Sequence, residues 1–213
     1  FFFDLPEAGR LQNIHPFEYN NDEYSTAHPT LSQNGEIMFF SSTMPIGLGG
    51  SDIYYSIQQN GTWQKPVNVG PTVNTPGDEL FPFLANDSTL YFSSNGHGSL
   101  GGLDVVVSYL RKNNTFSKTY NFNAPLNSSY DDFSIVTDST GRGGYFASNR
   151  PGGKGLDDIY SFVANYYSLN GQVRELSSEQ ARLPGTKISV FNKNGDFIDS
   201  VRTDDQGNFK LSL

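Results

Sequence analysis

The sequence predicts an all-β chain: a run of β-propeller blades followed by a small antiparallel β-sandwich. Three observations carry the prediction. A unit of strands and turns recurs three times. The composition favours strands and tight turns, with Phe 17, Tyr 12, Gly 22 and Pro 11 against Met 2. No segment holds a helical period over ~11 or more residues.

The repeat is legible residue by residue. Phe39-Phe40-Ser41-Ser42 returns as Tyr91-Phe92-Ser93-Ser94 and as Tyr145-Phe146-Ala147-Ser148. A glycine-rich stretch follows each: Gly47-Leu48-Gly49-Gly50, Gly98-Ser99-Leu100-Gly101-Gly102 and Gly152-Gly153-Lys154-Gly155. Each stretch ends in an aspartate leading a strand, Asp52-Ile53-Tyr54, Asp104-Val105-Val106 and Asp158-Ile159-Tyr160, spaced by 52 and then 54 residues. A fourth strand is expected around Trp63 and Phe116. The linkers repeat too: Asn68-Val69-Gly70-Pro71-Thr72-Val73-Asn74 matches Asn121-Phe122-Asn123-Ala124-Pro125-Leu126-Asn127, with a looser copy at Asn13-Ile14-His15-Pro16. An acidic pair follows each, Asp22-Glu23, Asp78-Glu79 and Asp131-Asp132, and then an apolar strand such as Phe81-Pro82-Phe83-Leu84. Turns are signalled by Asn34-Gly35, Asn60-Gly61, Asn86-Asp87 and Asn113-Asn114.

Four short antiparallel strands per ~40–50 residues is the pattern of a propeller blade. One blade cannot bury both faces of its sheet; stacking blades around an axis does so, with aromatic strands forming the layer between them. Residues 28–162 hold three blades and residues 1–14 read as the last strand of a preceding one, so the propeller is assigned to 1–165. A closed ring needs roughly 4–8 blades. The expectation is therefore a piece of a larger ring. After Tyr167 the pattern changes. Leu169–Val173, Lys187–Phe191, the Asn194-Gly195 turn and Phe197–Val201 read as a β-sandwich over 166–213, cut off before it is complete.

Composition removes several function classes. Lys+Arg 14 against Asp+Glu 22 gives a net charge of −8. Lys65, Arg111, Lys112, Lys118 and Lys154 are scattered, so no nucleic-acid surface is expected. No run approaches the ~20 apolar residues of a membrane span. With Cys 0, disulfides and thiolate metal sites are excluded.

Each candidate site has a plain structural reading beside the functional one. The glycine loops lack the Gly-Lys-Ser/Thr ending and following helix of a phosphate cradle. They read as wide hairpins whose glycines (Gly49, Gly50, Gly101, Gly102, Gly153, Gly155) supply positive φ. Asp52, Asp104 and Asp158 are expected to pin those loops by accepting backbone N–H bonds. The alternative is Ca²⁺, for which Asp157-Asp158 is the weak candidate, since Ca²⁺ wants ~6–8 oxygens. The acidic pairs either gather near a channel mouth, facing a metal or cationic partner, or cap turns. No cofactor is expected. His97-Gly98-Ser99-Leu100-Gly101 lacks the first glycine and the helix of a nucleophile elbow, so no catalytic residue is assigned. Thr203–Phe209 lacks EF-hand spacing and reads as a turn.

The blade motif resembles the WD40-like repeats of TolB-type propellers. It is closer still to the blades of Bacteroidetes OmpA-family proteins, through Ser148-Asn149-Arg150-Pro151-Gly152-Gly153-Lys154-Gly155 and Gly101-Gly102-Leu103-Asp104. In that family a carboxypeptidase regulatory-like module follows. Gly171-Gln172-Val173, Leu183-Pro184-Gly185 and Thr203-Asp204-Asp205-Gln206-Gly207-Asn208-Phe209 resemble it. The resemblance implies a non-enzymatic scaffold in the periplasm, associated with the outer membrane. It implies outer-membrane or secretion-complex proteins as partners, and peptidoglycan bound through an OmpA-like domain that this chain lacks. One family member is the cell-wall-anchoring subunit of the type IX secretion machinery. Two alternatives stay open: a glycan- or peptide-binding propeller using Tyr24, Tyr130 and the Phe-rich strand starts, and the propeller half of a serine hydrolase.

Overall fold

The computed structural model describes residues 2–4, 12–111, 115–164, 168–176, 178–191, 195 and 197–212. The Asn113-Asn114 turn, Lys112, Tyr167 and Asn194 lie outside them. All regular elements among the described residues are strands. The chain divides into two compact units, Phe1–Val163 and Ala164–Leu213.

The first unit opens with β1 (Phe2–Asp4) and β2 (Gln12–His15), which pair antiparallel with each other. One strand is expected over residues 1–14; the described residues carry two. The first blade runs β3 (Thr26–Leu31), β4 (Ile37–Ser42), β5 (Asp52–Gln59), β6 (Thr62–Trp63) and β7 (Val67–Asn68). It is ordered β3-β4-β5-β6, and β7 also pairs with β5. Its fourth strand is thus split: a tight hairpin at Asn60 and Gly61, both at positive φ, brings Trp63 back onto β5, and Val67–Asn68 continue along the same edge. The second blade repeats this with β8 (Glu79–Ala85), β9 (Thr89–Ser94), β10 (Asp104–Tyr109) and β11 (Tyr120–Asn121), the Leu110–Phe116 bridge standing where Trp63 stands. The third blade has β12 (Asp132–Thr137), β13 (Gly143–Ser148) and β14 (Asp158–Val163); among the described residues β14 pairs only with β13.

A two-position exchange sets the third blade apart from the first two. Ser56 and Ser108, buried in β5 and β10, donate to the carbonyls of Gln64 and Ser117 and so anchor the returning fourth strand. Register places Phe162 there in β14, opposite Gly144, whereas Ser56 and Ser108 lie opposite Met38 and Leu90. The large side chain has moved across the pair: a Cβ on Gly144 would press on the Phe162 ring at 2.8 Å. The third blade thus loses the anchoring serine.

Consecutive blades pack through their first strands: β8 lies against β3, β4 and β5, and β12 against β8, β9 and β10. One core sits between the first two blades (Phe39, Ile53, Val73, Leu84, Phe92, Val106) and another between the second and third (Val105, Ile135, Phe146 with Tyr91, Leu126, Tyr160). Such alternation of antiparallel meanders and aromatic layers makes the unit a stretch of β-propeller. β4 is buried on both faces because Phe40 turns into a further cluster with Phe17, Met38, Tyr54 and Trp63.

The second unit contains β15 (Ser168–Gln172), β16 (Arg174–Glu175), β17 (Ser178–Arg182), β18 (Lys187–Phe191), β19 (Phe197–Arg202) and β20 (Asn208–Ser212). They form three antiparallel pairs, β15 with β20, β16 with β17 and β18 with β19. Asp204 closes the turn before β20 by accepting the Gln206 and Asn208 N–H groups, each at 2.8 Å, and these bonds hold its carboxyl below the usual aspartate range.

Candidate functional site

The repeated polar residues form a set of joints between blades. Asp52 accepts the N–H groups of Leu48 (2.5 Å) and Gly49 (3.1 Å) and the Asn68 side chain (2.8 Å). Asp104 takes Leu100, Gly101 and Asn121 in the same way. Asp158 takes Lys154 and Gly155. Each aspartate therefore closes its own glycine loop, and Asn68 or Asn121 ties the fourth strand to it.

The acidic pairs divide their labour. Asp78 accepts the Ser51 N–H of the preceding blade at 2.9 Å, and Asp131 accepts that of Leu103 at 2.8 Å. Both are gripped by the next strand's asparagine, Asn95 or Asn149. The second acid is fully buried. Glu79 accepts the Thr75 N–H (2.8 Å), the Thr75 hydroxyl (2.6 Å) and the Ser94 hydroxyl (2.7 Å), and burial pushes its carboxyl above the usual glutamate range. Asp132 accepts from Ser128 and pairs with Arg150 at 2.5 Å. The Arg150 guanidinium also donates to the carbonyls of Pro125 and Leu126, and lies 5.0 Å over the Phe146 ring and 5.2 Å over that of Tyr160. All four carboxylates are thus engaged by hydrogen bonds within or between blades.

Two expectations need correction. Asp22-Glu23 is not the first blade's copy of these pairs. Register sets Thr26 opposite Ser42, as Glu79 is opposite Ser94 and Asp132 opposite Ser148, so Ser25-Thr26 hold the equivalent places. Asp22 and Glu23 lie exposed in the turn bridged by Asn21 and Tyr24. Nor do Gly49, Gly50, Gly101, Gly102, Gly153 and Gly155 adopt positive φ; in those loops only Gly98 and Gly152 do. The first four are needed for close approach, because a Cβ on Gly50 or Gly102 would overlap the carboxylate of Asp78 or Asp131, and one on Gly49 or Gly101 the next blade's backbone.

Three features escaped the sequence reading. Asn74 accepts the Ile53 N–H (2.8 Å) and donates to its carbonyl (2.9 Å); Asn127 does the same to Val105 (2.9 and 2.7 Å). Both end a linker copy, and that shared place was the available signal. The Arg150–Asp132 pair had none. The third feature is a bulge in each first strand, with His28, Phe81 and Ser134 at φ 56°, 52° and 56°. The ring of Phe81 stacks between His28 (4.0 Å) and Phe133 (5.3 Å), making a half-buried aromatic row across the three first strands. Burial holds the His28 imidazole below the usual histidine range. Pro29 and Pro82, next to the bulge residues, were its sequence signal.

Ser99 donates to the Ser94 carbonyl, and His97 Nε2 meets the Val73 carbonyl at 2.6 Å, so the two are not paired with each other. Among the described residues no three of His, Asp or Glu converge as metal ligands, and Asp157 is exposed. A cavity of about 370 Å³ beside the first blade is lined by Tyr19, Tyr24, Met44, Pro45, Tyr54 and Lys65. Tyr130 is exposed.

No family model and no curated protein matches the chain. Among solved structures it is similar to a chain from a study of two prolyl endopeptidases, at 13% identity over 66% of this chain and 18% of that one, with a TM-score of 0.41. It is similar to a protein described as TolB from Agrobacterium tumefaciens, at 14% identity over 88% of this chain and 58% of that one, with a TM-score of 0.42. It is also similar to the Bacillus anthracis TIE protein, at 11% identity over 92% of this chain and 51% of that one, with a TM-score of 0.22. These likenesses are remote, and this chain spans only 18% to 58% of the proteins it matches.

Proposed function

We propose that the chain is a non-catalytic interaction module, a stretch of propeller that presents its loops and inner wall to partner proteins. The observation that carries this reading is where the repeated polar groups go. Asp52, Asp104, Asp158, Asp78, Asp131, Glu79 and Asp132 all bond backbone or side chains of their own or the adjacent blade. That wiring stiffens the scaffold and leaves the aromatic row and the loop tips for contact. The blade and sandwich motifs support a setting in the periplasm at a Bacteroidetes-type outer membrane, within an OmpA-family parent that grips peptidoglycan and serves secretion or gliding machinery. No helix among the described residues is long and apolar enough to cross a membrane. Affinity capture from the native envelope should recover outer-membrane or secretion components; recovery of no envelope protein overturns the reading.

A second reading, a glycan- or peptide-binding propeller, is favoured by the cavity with its three tyrosines and Lys65. Cell-wall fragments should then raise the melting temperature, and Tyr24→Ala should remove the effect. A flat response across fragments eliminates it.

A further inference from the structure

The third blade repeats the acceptor half of a joint whose donor half is absent among the described residues. In the first two blades Ile53 and Val105 are 0% exposed, and their N–H and carbonyl groups are both held by a linker asparagine, Asn74 or Asn127. Their equivalent in β14 is Ile159, each following the loop-closing aspartate. Ile159 is 80% exposed, and no described residue takes the asparagine's place. Around it Val136, Tyr145 and Val163 are exposed as well. The burial of β14 alternates strictly, half-buried and exposed, where β10 is buried at its first five positions.

We propose that the open edge of β14 accepts an added strand. The occupant is an extended polypeptide segment with the linker chemistry this chain displays twice: two asparagines six residues apart with a proline between, as in Asn68–Asn74 and Asn121–Asn127. Its first asparagine would reach Asp158, as Asn68 and Asn121 reach Asp52 and Asp104. Its second would hold the Ile159 backbone. Ile53 turns its polar groups toward the fourth strand, so alternation turns those of Ile159 and Ser161 outward on β14. A returning hairpin would lack its anchor here, because Phe162 replaces the serine that holds it in the first two blades, which favours a strand from elsewhere.

Leu156 narrows the chemistry further. It occupies the place of Gly50 and Gly102, two residues before the loop-closing aspartate, and is 92% exposed. At Gly50 and Gly102 a Cβ would overlap the incoming Asp78 or Asp131. The segment that docks on β14 therefore lacks an acid four residues after its second asparagine, unlike either linker in this chain.

The test uses the full chain and a fluorescent peptide of residues 66–75, which stops short of Asp78. Saturable binding is expected by anisotropy. Replacing both peptide asparagines by alanine should weaken it about tenfold or more, since several hydrogen bonds to an apolar-flanked edge are lost. Hydrogen exchange should slow at Ile159 and Ser161 and be unchanged at Ile53. Ser161→Pro removes an outward N–H at an exposed edge and should abolish binding; Ile159→Asp, a surface change, should do the same if the proline variant unfolds. A longer peptide, residues 66–79, should bind the Leu156→Gly variant more tightly than the wild type. No saturable binding, equal binding of the alanine peptide, or protection away from β14 overturns the assignment. So does a stable dimer in light scattering with Ile159 already protected, which would make a second copy the occupant.

Discussion

Glu79 and Asp132 show how equivalent residues in adjacent blades are stabilised differently. Glu79 has no ion-pair partner among the described residues and relies on Thr75 and Ser94, so burial raises its pKa. A carboxyl raised in the folded state binds more protons there than in the unfolded chain. Its contribution to stability is therefore greatest below the ordinary glutamate range and is lost as pH rises through the elevated folded value. Melting curves of wild type and Glu79→Gln between pH 4 and 8 should show the variant gaining on the wild type as pH rises, the gap shrinking on acidification. In the next blade Asp132, fully buried, is compensated by Arg150. Arg150→Ala leaves that charge unpaired and should cost about 3–5 kcal/mol in denaturant unfolding. Arg150→Lys should recover only part of this, because a lysine can neither fork between Asp132 and the Leu126 carbonyl nor stack on Phe146 and Tyr160.

At the scale of the element, the glycine loop and the following acid act as a matched pair. Gly102→Ala should destabilise by about 1–3 kcal/mol through overlap with Asp131. Adding Asp131→Ala should cost less in that background than in the wild type, which a double-mutant cycle measures. Leu156→Gly, at the corresponding place in the third blade, should change stability by no more than about 0.5 kcal/mol. The strands were legible from the sequence because aromatic pairs, turn dipeptides and loop-closing aspartates sit at fixed offsets. The glycines were visible but their reason was not: close approach of the next blade is a tertiary fact, and composition suggests only backbone freedom. Asp22-Glu23 misled because the linker there is longer, 13 residues from Asn13 to Thr26 against 11 from Asn68 to Glu79, so a match by residue type slipped the register.

At the scale of the molecule, each blade is half of two joints, and function lies in the surfaces those joints leave over. A blade buries one face against its predecessor and the other against its successor, so cohesion is nearest-neighbour and propagates along the chain. The sequence announced the repeat, and with it the propeller. It did not announce that the third blade ends differently, because Gly144 with Phe162, and Leu156, look like ordinary variation until register sets them beside Leu90 with Ser108, and Gly102. The aromatic row of His28, Phe81 and Phe133 was hidden for the same reason, since it needs three bulges in register.

Native-state hydrogen exchange at three equivalent amides tests this radial joint most directly. Ile53 and Val105 should exchange only on near-global opening, and Ile159 far faster. Asn127→Ala should release Val105 while sparing Ile53. Equal protection at all three positions, or an Asn127→Ala variant that leaves Val105 as slow as before, would contradict the account.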